Sequence, residues 1–286
     1  MRKGWALFLA MFVPVAARAD EQVWKQQVAW PADDVEHLAV DNRLGSVTVR
    51  GWDRSEVQIT ATKRAAPEIL SRLRVHMTKF DDGRMVIDTR VKLEAGELIL
   101  PLGAGRVDLT IDAPRGVRLG ARTWSGDLAA AGMRGGARLE TEAGRIDVSD
   151  VTGAVVARGR RSNQHLTLIR GDVDVDDLEG DVILQQITGD RIVAHLLRGT
   201  IRADRLLART ISLEAMIGRV EFVLGENQLV ELRARARGGR VVVGGQPQEA
   251  GMFRGMVGMR SAAPASRVEL ISYGGDVLVQ LVSARF

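Results

Sequence analysis

The sequence predicts an all-β protein built as a parallel β-helix, or β-solenoid, with coils of about 18 residues. Three observations support this prediction: a nine-residue glycine period, an apolar position with the same period, and alternation of apolar and polar residues between the glycines. The chain has no cysteine and 4% aromatic residues. Lack of cysteine excludes a disulfide scaffold, a thiolate nucleophile and metal sites that depend on thiolates.

The glycine period is continuous over more than sixty residues. Seven of the eight residues at nine-residue steps from position 126 are glycine, and Ser162 is the exception. When the segment from Val117 is divided into blocks of nine, the fifth residue is apolar in all nine blocks: Ala121, Ala130, Leu139, Val148, Ala157, Leu166, Val175, Leu184 and Val193. The third residue is apolar in seven of them, with Gln164 and Arg191 as exceptions.

A block of this kind forms a short strand followed by a bend. The third and fifth residues share one face of a strand, and the second and fourth face the other way. Glycine at the first position provides the corner between successive strands. Two blocks make one coil, and each strand pairs with its equivalent in the next coil about 4.8 Å away. Stacked coils therefore bury a continuous apolar interior that no single block could bury.

The elements around the repeat follow the same reasoning. The run "LAVDNRLGSVTVRGWDRSEVQITATKR" contains three alternating segments and predicts an N-terminal β segment, continued by "MVIDTRV" and "RVDLTIDAP". A short helix is predicted after Pro67. The segment from Gly244 to Ser266 has neither period and is predicted to be a flexible loop. The last strands are predicted to form a hairpin around Gly274 and Gly275.

The first residues have the layout of a secretory signal peptide. Two cations precede an apolar run from Trp5 to Ala17, and small residues lead to Ala19 before the charged Asp20. We therefore expect residues 1–19 to be removed and the mature chain, 20–286, to be a single exported β-solenoid domain without a transmembrane segment. Loss of Arg2, Lys3 and Arg18 leaves 37 basic against 36 acidic residues. The mature chain is thus almost neutral, and nucleic acid is not an expected partner.

These residues carry a family resemblance. The turn from Asn42 to Gly45 before "SVTVRG", Pro114 and Gly116 before the first coil, and the serial glycine corners resemble a bacterial exported β-strand-repeat family of unknown function, whose members are commonly labelled putative adhesins. The resemblance covers nearly all of the mature chain. It implies a β-helix-like fold and a location in the cell envelope, either in the periplasm or at the cell surface.

No catalytic, cofactor-binding or metal-binding residue is predicted. The four histidines, His37, His76, His165 and His195, have no spacing typical of a metal site, and no serine lies in a nucleophile elbow. The acidic stretch from Asp172 to Asp181 is the best candidate for cation binding, because Asp172 and Asp190 would stack in adjacent coils. We favour its interpretation as a solvated outer face, since it lacks the paired glycines of calcium-binding nonapeptides.

Two further surface features allow two interpretations each. Arg158, Arg160, Arg161 and Arg170 cluster where the corner glycine is missing; they form either a solvated bulge, which we favour, or a basic lip for acidic polysaccharide or lipid. Met252, Phe253, Met256 and Met259 make the predicted loop apolar, so that it either packs against the solenoid, which we favour, or contacts a partner.

The function favoured by the sequence is a non-enzymatic, adhesin-like binding or structural element of the cell envelope that requires no cofactor. Its ligand, an envelope glycan or protein, is not specified by the sequence. One alternative is a polysaccharide-lyase type of β-helix enzyme, for which Asp172, Asp174, Asp190 and Arg191 would be the only suitable group. Another is an envelope sensor that recruits a partner through the apolar loop.

Overall fold

The computed structural model describes residues 22–91, 105–225, 228–258 and 266–282. Within these residues the chain is all-β, and the only helical segments are α1 (Pro67–Leu70) and a 3-10 turn (Glu249–Gly251). No helix in this part of the chain is long and apolar enough to cross a membrane. The predicted signal peptide lies outside the described residues.

Two compact units make up the chain, residues 1–141 and 142–286. The boundary falls inside one strand, Ala137–Thr152. The prediction that 20–286 forms a single domain therefore stays a prediction, and the two units are described separately.

The N-terminal unit contains the β segment predicted before the repeat, together with short helix α1 after Pro67. Two sets of parallel strands form its centre: β2 pairs with β6 and β8, and β3 pairs with β7 and β9. Antiparallel strands flank them, since β4 pairs with β1 and β7, and β5 pairs with β6. The strands are β1 (Gln22–Pro31), β2 (His37–Leu44), β3 (Val47–Trp52), β4 (Glu56–Ala65), β5 (Leu73–Lys79), β6 (Arg84–Val91), β7 (Arg106–Pro114), β8 (Arg118–Ser125) and β9 (Leu128–Ala131), with β10 (Ala137–Thr152) beginning here.

The turn from Asn42 to Gly45 is held by a buried amide. The side-chain nitrogen of Asn42 donates hydrogen bonds to the carbonyl oxygens of Gly45 (3.0 Å) and Val107 (2.8 Å), and its oxygen accepts one from Thr89 Oγ1 (2.7 Å). Gly45 has a φ of +117°, and a Cβ there would lie 2.2 Å from the Val107 oxygen. The turn therefore requires Asn42 for its hydrogen bonds and Gly45 for its positive φ and close approach to Val107.

Asp108 on β7 secures the residue after this turn. Its Oδ1 accepts hydrogen bonds from the backbone nitrogen (3.0 Å) and hydroxyl (2.9 Å) of Ser46, and from Arg106 Nη2 (2.8 Å). Burial by itself would raise the pKa of Asp108, but the hydrogen bonds from Arg106 and Ser46 outweigh it, so the pKa lies below its ordinary value. The folded state thus favours the ionised carboxylate.

Replacing Asp108 by asparagine is expected to make stability less sensitive to acid. Because the pKa is lower in the folded than in the unfolded chain, the carboxylate stabilises the fold above about pH 4, and this contribution is lost as pH falls through the folded pKa. Urea unfolding of both proteins between about pH 3 and pH 7 should show a stability difference that shrinks at the acidic end. A stability difference between the two proteins that does not change with pH would contradict a lowered pKa of Asp108 in the folded chain.

The C-terminal unit contains most of the glycine repeat. Its strands are the second part of β10, then β11 (Val155–Arg170), β12 (Val173–Glu179), β13 (Val182–Leu224), β14 (Leu229–Ala236), β15 (Val241–Val243), β16 (Gln246–Pro247), β17 (Met252–Gly258), β18 (Ser266–Ser272) and β19 (Val277–Leu281). Parallel pairs join Val155 to Val173 and Gln164 to Val182, both 18 residues apart. The next pair, Val173 with Ile192, is 19 residues apart. The 18-residue spacing predicted from the glycines is therefore present in these first pairs, and it lengthens to 19 residues from Val173 onward.

The apolar period corresponds to the buried face of the strands. Every fifth-position residue of the first eight blocks, from Ala121 to Leu184, is at most 4% exposed. The ninth, Val193, is also buried, but it lies opposite Asp174 on the other face, because the 19-residue step places Ala194 opposite Val175. Burial of one side chain every nine residues explains why this position tolerates only apolar residues, and why the outward positions between them carry the charges.

Stacked glycines form the corners. Gly180, Gly199 and Gly218 have φ values between +138° and +150°, and a Cβ on any of them would lie 1.7 Å from the carbonyl oxygen of the preceding corner residue. Gly171 lies over Gly153 in the same manner, with a distance of 2.2 Å. The repeat thus requires glycine both for backbone conformation and for close approach of the next chain segment.

The predicted C-terminal hairpin is wrong. Strands β18 and β19 run parallel to β13, with Thr210 opposite Arg267 and Val220 opposite Val277. On their other side they pair with β14 and β15, also in parallel. Gly275 lies against the oxygen of Gly218, where a Cβ would come within 2.0 Å, so Gly274 and Gly275 form another corner and do not reverse the chain. The C-terminal strands are therefore inserted between segments that precede them in sequence.

The predicted loop also contains regular structure. Strand β17 pairs antiparallel with β14, with Leu229 opposite Gly258 and Arg235 opposite Met252, so the loop prediction is wrong for 252–258. Glycines at 255 and 258 interrupt the alternation of apolar and polar residues, so the sequence pattern did not indicate a strand. The strand forms through backbone hydrogen bonds to β14, which do not require an apolar period. Met252 and Met256 remain exposed, and Met259 lies outside the described residues.

Candidate functional site

A groove on the outer face of the C-terminal unit is the candidate site. It has a volume of about 240 Å³ and crosses strand β12 and two successive segments of β13. We call it the Leu197 groove, and it is lined by Gly159, Asp176, Asp177, Leu178, His195, Leu196, Leu197, Glu214 and Met216.

Two parallel rows of outward side chains form the groove because equivalent residues recur every 19 positions. Asp176 lies opposite His195 in the strand register, and His195 Nδ1 lies 3.6 Å from Glu214 Oε2 in the next segment. Two residues further along each strand, on the same face, come Leu178, Leu197 and Met216. A polar row thus runs beside an apolar row, with about 4.8 Å between neighbours in each row.

The apolar row is unusually open to solvent. Leu178, Leu197 and Met216 are 44%, 45% and 42% exposed. Isolated exposed leucines are common, but three aligned apolar side chains on adjacent strands form a continuous strip. Rigid, hydrogen-bonded strands hold this strip in place, which favours recognition because little side-chain or backbone freedom is lost on binding.

Beneath the groove lies a buried polar network around Asp177, which is only 4% exposed. Its Oδ2 accepts hydrogen bonds from the hydroxyl of Ser162 and from Gln164 Nε2 (2.8 Å), while Oδ1 accepts one from the backbone nitrogen of Glu179 (3.2 Å). Gly159 makes room for the network, since a Cβ there would lie 2.0 Å from Ser162 Oγ and 2.5 Å from Asp177 Oδ2. These contacts fix the strand that carries Asp176 and Leu178.

Sequence reasoning missed this network, although the repeat contains a signal for it. Ser162 stands where a corner glycine is expected, and Gln164 stands where the third-position residue is normally apolar. Two adjacent departures from a regular pattern indicated a local polar structure. Its third member, Asp177, could not be identified, because an aspartate in an acidic stretch gives no sign that it points inward.

The acidic stretch from Asp172 to Asp181 divides into residues with different roles. Asp172 Oδ1 accepts hydrogen bonds from the backbone nitrogens of Asp190 (3.0 Å) and Arg191 (2.9 Å), and Asp181 Oδ1 accepts one from the nitrogen of Thr200 (3.0 Å). These two carboxylates therefore stabilise the corners of the next segment. Within the described ranges, no group of three or more acidic, histidine or cysteine side chains is placed to hold a metal ion.

The arginine cluster is partly neutralised by carboxylates from neighbouring segments. Arg158 Nε lies 3.8 Å from Asp176 Oδ2, and Arg160 Nη1 lies 3.1 Å from Glu142 Oε2. Arg161 lies opposite Glu179 in the strand register. These three arginines are thus part of an exposed surface of mixed charge, and the two interpretations of the cluster stay predictions.

The fold has counterparts among solved structures. The chain is similar to a putative adhesin from Parabacteroides distasonis ATCC 8503, with 9% identity over 90% of this chain and 97% of that one, and a TM-score of 0.52. Putative adhesins from Bacteroides fragilis NCTC 9343 and Parabacteroides merdae ATCC 43184 also match, covering 91% and 94% of this chain with TM-scores of 0.48 and 0.43. No family model and no curated protein matches the chain. The family resemblance therefore stays a prediction, and the likeness to the Parabacteroides distasonis structure concerns the fold.

Proposed function

We propose that this chain is an exported, non-enzymatic protein of the cell envelope with an adhesin-like binding role. Its repeat forms a β-solenoid of 18- and 19-residue coils, supported by the parallel pairing register and by the stacked glycine corners. Cleavage near Ala19 delivers the mature chain to the periplasm or to the cell surface. The adhesin description of the Parabacteroides distasonis counterpart agrees with this role.

One observation carries the proposal, namely the exposed apolar strip of the Leu197 groove beside a row of charged side chains. A strip of this kind costs solubility and is not needed by the interior, which is filled by the inward row Asp177, Leu196 and Ala215. Binding is favoured over catalysis because Asp172, the first member of the lyase-type group, directs its carboxylate to backbone nitrogens. The face is thus suited to hold a partner.

The proposal is tested by placing a charge in the apolar strip. Leu197→Lys should weaken binding of the purified mature chain to isolated envelope fractions about tenfold or more, since the added charge would have to lose its solvation at the contact. Leu207→Lys is the matched control, because Leu207 is a leucine of the same unit, 51% exposed, that does not line the groove. Co-sedimentation with envelope material measures both variants.

Two results would count against the role. Equal binding by the Leu197 and Leu207 variants would show that the groove does not contribute to envelope binding. A hydrolytic or lyase activity of the purified chain towards envelope glycan would contradict a non-enzymatic role. Circular dichroism of each variant distinguishes lost binding from lost folding.

A further inference from the structure

We infer that the Leu197 groove binds a basic side chain, arginine or lysine, presented by an extended segment of a protein partner. This inference rests on the proposed function and adds the chemistry of the partner to it. The observations that carry it are the charge, the volume and the two-row arrangement of the groove.

The charge of the groove is complementary to a cation. Its outward polar row carries the carboxylates of Asp176 and Glu214, with the imidazole of His195 between them, and its lining includes neither lysine nor arginine. The Asp177 carboxylate lies beneath this row, bound to a hydroxyl, an amide and a backbone N–H. Arg158 approaches the Asp176 end, at 3.8 Å. A cation entering near Glu214 is therefore attracted by that carboxylate, whose basic neighbour in the groove is His195, at 3.6 Å.

The arrangement of the rows fits a cation on an aliphatic stem. Leu178, Leu197 and Met216 can cover methylene groups, and the carboxylates of the adjacent row can meet the charged end. Arginine and lysine combine these two properties, because their stems pack on apolar surface while their heads stay at the polar edge. A purely apolar ligand would leave the carboxylates poorly solvated, and an acidic glycan would be repelled by them.

The size of the groove limits the occupant to one side chain. Its volume of about 240 Å³ is smaller than the roughly 300–1,000 Å³ of pockets that enclose whole drug-sized ligands. The lining contains no phenylalanine, tyrosine or tryptophan on which a sugar ring could stack. The rest of the partner must therefore lie across the open outer face, as an extended segment does on a flat surface of strands.

Methyl NMR of methionine provides the test, because the chain carries an internal reference. Met216 lines the groove, whereas Met252 and Met256 are somewhat more exposed and belong to β17. In protein labelled with ¹³C at the methionine methyls, the Met216 signal, assigned with Met216→Leu, should shift and saturate on titration with N-acetyl-arginine amide. The Met252 and Met256 signals should not respond. N-acetyl-norleucine amide, which has a comparable stem without the charge, should produce little change at the same ionic strength.

Charge variants complete the design. The double variant Asp176→Asn/Glu214→Gln should bind the arginine amide about tenfold more weakly. Glu231→Gln/Glu269→Gln removes the same charge from strands β14 and β18 and should bind normally, because neither residue lines the groove. Added salt should weaken binding in the native protein.

Each contrary outcome separates this inference from the proposed function. An equal response to norleucine amide, or no response of Met216 to the arginine amide, would overturn the inference while leaving envelope binding through the groove intact. A full response of Met216 together with normal envelope binding by Leu197→Lys would instead contradict the proposed function. Binding unaffected by Asp176→Asn/Glu214→Gln would show that the carboxylates do not recognise the cation.

Discussion

Replacing Gly199 by alanine is expected to lower the free energy of unfolding by about 3 kcal/mol or more, because two penalties combine at this corner. Gly199 has a φ of +138°, which side chains rarely adopt, and its added Cβ would lie 1.7 Å from the oxygen of Gly180. The obstructing atom belongs to the backbone of the preceding corner, so relief requires the stacked segments to separate. Urea unfolding followed by circular dichroism measures the effect.

Two other glycines provide matched controls. Gly245 has a φ of +80° but no atom within 4 Å of the added Cβ, so Gly245→Ala isolates the conformational cost, about 1 kcal/mol. Gly120 lies on a strand, with open space and no left-handed conformation, so Gly120→Ala should be neutral or stabilise by less than about 1 kcal/mol. Equal losses for Gly199→Ala and Gly245→Ala would show that stacking of the corners contributes little.

Removing the Asp177 side chain is the second change with a large expected effect. Asp177→Ala takes away the acceptor of three hydrogen bonds beneath the groove and leaves the Ser162 hydroxyl buried without it. A buried donor without a partner costs about 1–3 kcal/mol, so a loss of about 3 kcal/mol is expected for the network. Chemical unfolding of the variant provides the measurement, and methyl NMR of Met216 reports any local change in the groove.

The neighbouring residue supplies the comparison. Asp176 points outward and is about half exposed, so Asp176→Ala should change stability by no more than about 0.5 kcal/mol. Asp177→Asn keeps the side-chain volume and one acceptor oxygen. Its loss of stability should therefore lie between the losses of Asp176→Ala and Asp177→Ala. If Asp177→Ala were as mild as Asp176→Ala, the network would not be a structural support. In a double-mutant cycle with Ser162→Ala, the losses should combine to less than their sum, because both changes break the same bond.

Local regularity explains how much of the fold was predictable. Apolar residues at the fifth position, from Ala121 to Leu184, are buried because a strand alternates its faces with a fixed period of two. The glycine period predicted the pairing distance, since residues 18 apart such as Val155 and Val173 are partners. The strands around Asn42 and helix α1 were also predicted from local signals. Each of these features depends on residues that are close together in the chain.

Features that depend on distant partners were not predictable in the same way. The last two strands look like a hairpin in the sequence, but they pair in parallel with β13 on one side and with β14 and β15 on the other. Strand β17 shows no clear apolar period in the sequence. It forms a strand because its backbone pairs with β14, and that partner is distant in the chain. Residues of the acidic stretch look alike, yet Asp172 caps a backbone turn and Asp177 is buried.

By itself, the sequence determined the all-β class, the 18-residue spacing of the first pairs, the inward fifth positions as far as Leu184 and the glycine corners. These follow from backbone geometry and the burial of apolar surface, which act within a few residues. Only the tertiary structure decided which strands became neighbours, that Ser162, Gln164 and Asp177 form one network, and that Leu178, Leu197 and Met216 align as one strip. Stacking brings together residues that are 19 positions apart in the chain. Which side chains become neighbours on the outer face therefore depends on the pairing register between strands, and no single strand encodes that register.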